Sequence, residues 1–139
     1  MPHRLSISLC LLCCVLVPAV ASAETLNEAR VRAYYQAWSS GDVDQVMPYF
    51  ASTIVYEDVA TGERAAGTAE VRAFAAKFLS STPGVQVEPG SVLVGPTSAA
   101  VEWTMSAGEG EAAWSVRGVA IIDHADGLIT RATDYWNAE

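Results

Sequence analysis

Two stretches of the chain decide its fold: residues 34–46, YYQAWSSGDVDQV, and residues 55–58, VYED. The first places apolar side chains at helical spacing up to Gly41, and an Asp-x-Asp pattern follows that can cap a second helix. The second is rich in β-branched and aromatic residues and ends in two acids, which is typical of a strand. The pattern predicts a helix, a short helix and a strand that ends in a carboxylate.

The helical periodicity extends toward the N-terminus. Thr25 followed by Glu28 has the spacing of a capping box, so we expect the first helix to run from there to Gly41. The second helix has two candidate caps, Asp42 and Asp44, and the choice decides whether Pro48 lies inside the helix. Strand character then covers residues 53–58.

Toward the C-terminus, Thr68 is the expected cap of a third helix that ends between residues 80 and 84. Strands are predicted at 85–88, 91–95, 98–107, 111–122 and 128–136, separated by glycine-containing turns. Helices first and an antiparallel meander afterwards indicate an α+β fold. We expect three N-terminal helices packed on a curved, mostly antiparallel sheet, forming a cone with an internal pocket.

The first 23 residues resemble a secretory signal peptide. An apolar run of about a dozen residues precedes Ala21-Ser22-Ala23, whereas a membrane span needs roughly 20. Cleavage would leave a domain of residues 24–139, secreted or periplasmic and not associated with a membrane. Retention as a membrane anchor is the alternative.

Composition excludes several classes of function. All three cysteines (Cys10, Cys13 and Cys14) lie in the predicted signal, so no disulfide is expected in the mature chain. The formal net charge of −8 becomes −9 when Arg4 is removed, and such a surface repels nucleic acid. His124 is expected in a solvated turn, and no spacing indicates a metal or cofactor site.

Residues 34–46 leading into 55–58, together with residues 66–72 and 127–136, resemble ketosteroid isomerase and the SnoaL-like polyketide cyclases of the nuclear transport factor 2-like superfamily. In ketosteroid isomerase a tyrosine and an acid donate hydrogen bonds to an enolate while an aspartate transfers the proton. The resemblance matches Tyr34 to that tyrosine and Asp58 to that aspartate. The second donor falls on Val119, which cannot donate.

The cyclase resemblance makes Asp134 a candidate acid–base residue beside Trp136, since strand alternation places both on one face. Trp136, Val119 and Trp38 are the expected substrate-pocket residues. Plainer alternatives stay open: Tyr34 in core packing, Asp58 capping a turn, and Asp134 facing solvent if the register slips by one. An arginine-x-aspartate pair, as in limonene epoxide hydrolase, is missing at Arg117-Gly118-Val119.

These residues predict a cofactor-independent isomerase or cyclase-like enzyme acting on a small, largely apolar carbonyl compound. Asp58 would move a proton, Tyr34 would donate to the enolate oxygen, and Asp134 would assist as an acid. A non-catalytic module that binds a ligand or a protein is the alternative, and a homodimer formed through the sheet is also an expectation. Trp103 and Trp114 are expected in core or sheet packing, and one of them could instead line the cavity or a dimer face.

Overall fold

A computed structural model describes residues 25–137 of the chain. The predicted secretory segment at residues 1–23 and its cleavage site before Glu24 lie outside the described residues. Within residues 25–137, no helix combines the length and the apolar character that crossing a membrane requires.

The described residues form three α-helices and six strands, with short 3-10 turns at Met47–Tyr49 and Gly110–Ala112. The helices are α1 (Glu28–Ser39), α2 (Val43–Val46) and α3 (Thr68–Ser81). The strands are β1 (Phe50–Asp58), β2 (Glu63–Ala66), β3 (Gln86–Val94), β4 (Ser98–Ala107), β5 (Trp114–Ala125) and β6 (Leu128–Trp136).

All six strands form one sheet in the order β2-β1-β6-β5-β4-β3. Neighbouring strands are antiparallel except β1 and β6, which are parallel. Helix α1 packs on β3, and α3 packs on β1 and β2. Three helices on a mostly antiparallel sheet confirm the predicted α+β fold.

Two of the predicted helix starts are wrong. Asn27, not Thr25, caps α1, because its side-chain oxygen accepts the backbone N–H of Arg30 at 2.9 Å. Gly67 precedes α3 with φ of +82°, so Thr68 is already helical. A positive φ favours glycine, which explains why the cap lies one residue earlier than Thr68.

The start of α2 resolves the choice between its two candidate caps. Asp42 accepts the backbone N–H of Asp44 at 2.8 Å, and α2 ends at Val46. Pro48 therefore falls at the start of the following 3-10 turn, where a missing N–H costs nothing. Asp44 instead forms an ion pair with Arg72 on α3.

The sheet differs from the prediction at its two edges. Pro89 and Gly90 do not separate two strands but form a bulge within β3, where the register shifts. An edge strand tolerates proline because its N–H need not pair, and the guanidinium of Arg32 donates to both carbonyls at 3.1 and 3.2 Å. The other edge strand, β2, was not predicted because its four residues show no alternation.

His124 is not a solvated turn residue, as the sequence predicted. Strand β5 continues to Ala125, so His124 is only 8% exposed and its Nε2 contacts the carbonyl oxygen of Gly95 at 3.0 Å. Glu109 and Glu111 are exposed at the 3-10 turn before β5.

The core lies between the helices and the inner face of the sheet. Its fully buried side chains come from all the main elements. They include Val31, Val46, Ile54, Val71, Val101, Ile122 and Ile129. This packing fixes the strands whose inward side chains build the site.

Candidate functional site

An aromatic inner cavity lies between helices α1 and α3 and the inner face of the sheet. Its volume is about 60 Å³. At roughly 10 to 15 Å³ for each water-sized group, that is room for about four to six non-hydrogen atoms. Eight aromatic side chains line it: Tyr34, Tyr35, Trp38, Tyr56, Phe74, Phe78, Trp103 and Trp136.

The register of the sheet brings two carboxylates together in this cavity. In the parallel pair of β1 and β6, Asp58 lies directly opposite Asp134. Paired positions on adjacent strands carry side chains on the same face, so both carboxylates line the cavity. On β6, Trp136 follows Asp134 by two residues and also faces inward.

Asp134 is held by two hydrogen-bond donors. The Tyr56 hydroxyl donates to its Oδ2, and the Trp103 indole N–H donates to its Oδ1 at 3.0 Å. Burial raises the pKa of Asp134 from 3.8 to about 6; these two hydrogen bonds lower it, and the charge of Asp58 raises it further. Asp134 can therefore change its protonation state close to neutral pH.

Asp58 is held differently, at the end of its strand. Its Oδ1 accepts the Trp136 indole N–H at 3.0 Å and the backbone N–H of Thr61 at 3.1 Å. Asp58 thus both lines the cavity and caps the turn after β1. These two roles, pocket residue and turn cap, were alternatives on the basis of the sequence, and the structure shows both.

Three tyrosines in the cavity wall keep their protons. Burial, followed by the charge of Asp134, raises the pKa of Tyr34, Tyr35 and Tyr56 well above the ordinary value. For Tyr34 a hydrogen bond with Trp38 acts in the opposite direction. Tyr56 donates its one hydroxyl proton to Asp134, whereas the Tyr34 and Tyr35 hydroxyls can donate to a ligand; none of the three can serve as a base at neutral pH.

Gly118 makes room for Trp103 on the neighbouring strand. The two residues are paired between β4 and β5. A Cβ atom at position 118 would lie 2.3 Å from Cζ2 of Trp103 and 2.7 Å from the backbone oxygen of Tyr135. The absence of a side chain at Gly118 lets the Trp103 ring reach Asp134.

Five of the six residues predicted for the site line the inner cavity: Tyr34, Trp38, Asp58, Asp134 and Trp136. Val119 does not, and its placement in the pocket was wrong. It is 37% exposed and points away from the cavity, whereas its neighbour Ala120 lines it. Neither Gly118 nor Ala120 carries a hydrogen-bonding side chain, so β5 supplies no second donor at this point.

Sequence reasoning missed the two donors to Asp134. Tyr56 precedes Asp58 by two residues in a strand, so alternation alone places both on one face. Trp103 was expected mainly in core or sheet packing; it lines the inner cavity, while Trp114 lies farther out. The hydrogen bond from Trp103 to Asp134 links β4 to β6 across β5. Such a contact between distant strands cannot be predicted from a local sequence pattern.

The lining of the inner cavity carries two carboxylates but no lysine, arginine or histidine. Among residues 25–137 no group of three or more histidine, cysteine or acidic side chains is placed to hold a metal ion. The chemistry that can be assigned to the cavity therefore rests on its carboxylates, hydroxyls, indoles and aromatic faces.

Three helices packed on a six-stranded, mostly antiparallel sheet, with an aromatic cavity between them, are typical of the nuclear transport factor 2-like class of proteins. Residues 31–132 match the family described as SnoaL-like domain, and the chain belongs to that family. No curated protein matches the chain.

Solved structures support the same fold. A protein with a ketosteroid isomerase-like fold from Catenulispora acidiphila, in complex with trimethylamine, has a TM-score of 0.73 at 19% identity over 81% of this chain and 88% of that one. A proposed ketosteroid isomerase from Kribbella flavida has a TM-score of 0.65 at 26% identity over 80% and 77%. A proposed polyketide cyclase from Xanthomonas campestris has a TM-score of 0.62 at 23% identity over 78% and 88%.

Proposed function

We propose that the protein binds a small, largely apolar carbonyl compound in the inner cavity and that Asp134 transfers a proton at the carbon next to the carbonyl group. The observation that carries this proposal is the position of Asp134, in an aromatic cavity between the donors Tyr56 and Trp103. A carboxylate with a pKa of about 6 is an efficient general base near neutral pH.

The proposed step needs no cofactor. Ionised Asp134 removes the proton, the C–H bond breaks, and its electron pair forms the enolate as the carbonyl oxygen becomes negative. The protonated hydroxyl of Tyr34 donates a hydrogen bond to that oxygen. Asp134 then returns the proton to the same carbon, which gives exchange, or to another carbon, which gives an isomer.

The sequence favoured Asp58 for proton transfer, with Asp134 assisting. We assign the transfer first to Asp134, because burial raises its pKa toward neutral pH, whereas Asp58 lies at the end of its strand, where its Oδ1 accepts the backbone N–H of Thr61 and the indole N–H of Trp136. In this arrangement Asp58 keeps Trp136 in place and raises the pKa of Asp134 through its charge. The proposed isomerase and cyclase among the structural neighbours are in keeping with this class of reaction.

Exchange of the α-protons of 2-butanone in deuterated water, followed by NMR, tests the proposal. Wild type should catalyse exchange, and Asp134→Asn should lower the rate by at least about 100-fold while retaining ketone affinity, because the amide keeps the shape and loses the base. Asp123→Asn, at an exposed position on β5, is the matched control and should leave the rate unchanged. Undiminished exchange in Asp134→Asn would refute the assignment.

A second candidate function is non-catalytic binding of a small alkylammonium ion. The specific observation in its favour is a lining with eight aromatic rings, two carboxylates and no cationic side chain. Aromatic faces attract such cations, and the neighbour from Catenulispora acidiphila is in complex with trimethylamine. Trimethylammonium and acetone each have four non-hydrogen atoms, so their relative affinities, measured by titration calorimetry, distinguish the two candidates.

Export is part of the proposed function, on the basis of the apolar run and Ala21-Ser22-Ala23. The mature protein would then act outside the cytoplasm and begin at Glu24. Sequencing the N-terminus of the exported protein tests this, and a full-length cytoplasmic chain would contradict it.

A further inference from the structure

A second, larger space adjoins the inner cavity. This outer chamber has a volume of about 430 Å³ and lies between α3, the turn after β1 and the ends of β4 and β5. Five residues border both spaces: Asp58, Phe74, Phe78, Met105 and Trp136. The two spaces are therefore neighbours separated by a neck that these side chains form.

The sizes of the two spaces restrict what can occupy them together. The inner cavity, at about 60 Å³, has room for a group of about four to six non-hydrogen atoms. The outer chamber is about seven times larger. A larger molecule that places its carbonyl beside Asp134 has the adjoining outer chamber as space for its remaining atoms.

The walls of the outer chamber are suited to an apolar group. Trp114 and Val116 line it together with Met105 and the two phenylalanines of the neck. Trp114 is 40% exposed, a large apolar surface that the core does not use. Lys77 and Glu63 also border the chamber, but they pair with each other at 2.6 Å.

We propose that the outer chamber binds an apolar chain attached to the carbonyl group held in the inner cavity, with Trp114 and Val116 as its specificity-determining contacts. The inference rests on the proposed function, since it requires that a carbonyl group enter the inner cavity. The substrate class is then a methyl ketone, or a similar small carbonyl group, carrying an extended alkyl or aryl chain.

A homologous series of methyl ketones, from 2-butanone to 2-decanone, tests this inference by titration of the protein. Affinity should rise about fourfold for each methylene group that becomes fully buried, and it should level off when the chamber is filled. Trp114→Ala and Val116→Thr should each flatten this rise, so that the ratio of the affinity for 2-decanone to that for 2-butanone falls. Leu93→Ala, at a 72% exposed position on β3, is the control and should retain the full rise.

The outcomes separate this inference from the proposed function. If 2-butanone binds and longer ketones bind no more tightly, the outer chamber proposal is overturned and the proposed function stands. If the rise depends on Trp114 but Asp134→Asn still catalyses exchange, the chamber assignment holds and the proposed function fails. The chamber proposal would also be overturned if Trp114→Ala lowered the affinity for short and long ketones by the same factor. Failure of the wild-type protein to bind any of these ketones would overturn it as well.

Discussion

Asp58 and Asp134 occupy directly paired positions on the parallel strands β1 and β6, although 75 residues separate them in the sequence. Each carboxylate accepts the indole N–H of a different tryptophan at 3.0 Å, Trp136 for Asp58 and Trp103 for Asp134. Asp134 alone also accepts a tyrosine hydroxyl within the cavity. The same chemical group is thus placed in two environments, and burial in the cavity raises the pKa of Asp134.

Asp134 should make the stability of the protein depend on pH. Because its folded-state pKa is raised from 3.8 to about 6, the folded protein holds this proton more tightly than the unfolded chain does. The resulting stabilisation is complete below pH 3.8 and is lost as pH rises through about 6.

Urea unfolding of wild type and Asp134→Asn across this range measures the effect. We expect the wild-type free energy of unfolding, relative to that of the variant, to fall by about 3 kcal/mol between about pH 3.5 and pH 7. A difference that stays constant with pH would show that Asp134 titrates alike in the folded and unfolded states.

Removing either donor to Asp134 should raise its pKa further. Tyr56→Phe and Trp103→Phe each delete a hydrogen bond that favours the ionised carboxylate. A hydrogen bond to a charged group contributes about 1.5 to 3 kcal/mol, which corresponds to a rise of roughly 1 to 2 pKa units. Carbon-13 NMR titration of the Asp134 carboxyl group measures it.

Tyr135→Phe is the matched control, because Tyr135 lies on the same strand but is 49% exposed and outside the cavity lining. It should leave the titration of Asp134 unchanged. A pKa that stays constant or falls in Tyr56→Phe would contradict the account of how the carboxylate is held.

Gly118→Ala should disturb the site through Trp103. The new methyl group would overlap the Trp103 ring and the backbone oxygen of Tyr135, so we expect a loss of about 2 kcal/mol or more and a change in tryptophan fluorescence. Gly90→Ala should cost less than about 1 kcal/mol, because its new Cβ would have its nearest neighbour at 3.6 Å. Equal stability losses in the two variants would refute the steric argument.

Reductant should leave the thermal stability of the mature protein unchanged. All three cysteines lie within residues 1–23, so a chain beginning at Glu24 has no thiol to oxidise. Melting curves recorded with and without dithiothreitol decide the matter. A shift of several degrees would mean that the mature protein retains the N-terminal cysteines.

Local patterns predicted much of this fold and part of its site. Helical spacing located α1 and α3, and alternation placed Asp134 and Trp136 on one face, because both periodicities are properties of a single element. The pairing of β1 with β6 could not be predicted in this way. It depends on how the whole sheet packs, and it alone brings Asp58 beside Asp134.

The inward face of β5 depends on its register with β6. That register shifts by one residue in the β5–β6 hairpin, between Asp123 and His124. A shift of one residue moves a side chain to the opposite face of the sheet. The inward positions on β5 are therefore Gly118 and Ala120, and a bulge of this kind leaves no clear mark in the sequence.

The most direct test of the central claim is the pH dependence of α-proton exchange in 2-butanone. If ionised Asp134 removes the proton, kcat/KM for exchange by wild type should rise with pH through an apparent pKa of about 6 and then reach a plateau. In Asp134→Asn this step in the profile should disappear together with most of the rate. A wild-type profile that is flat between about pH 4.5 and pH 8, or one that persists in Asp134→Asn, would contradict the account.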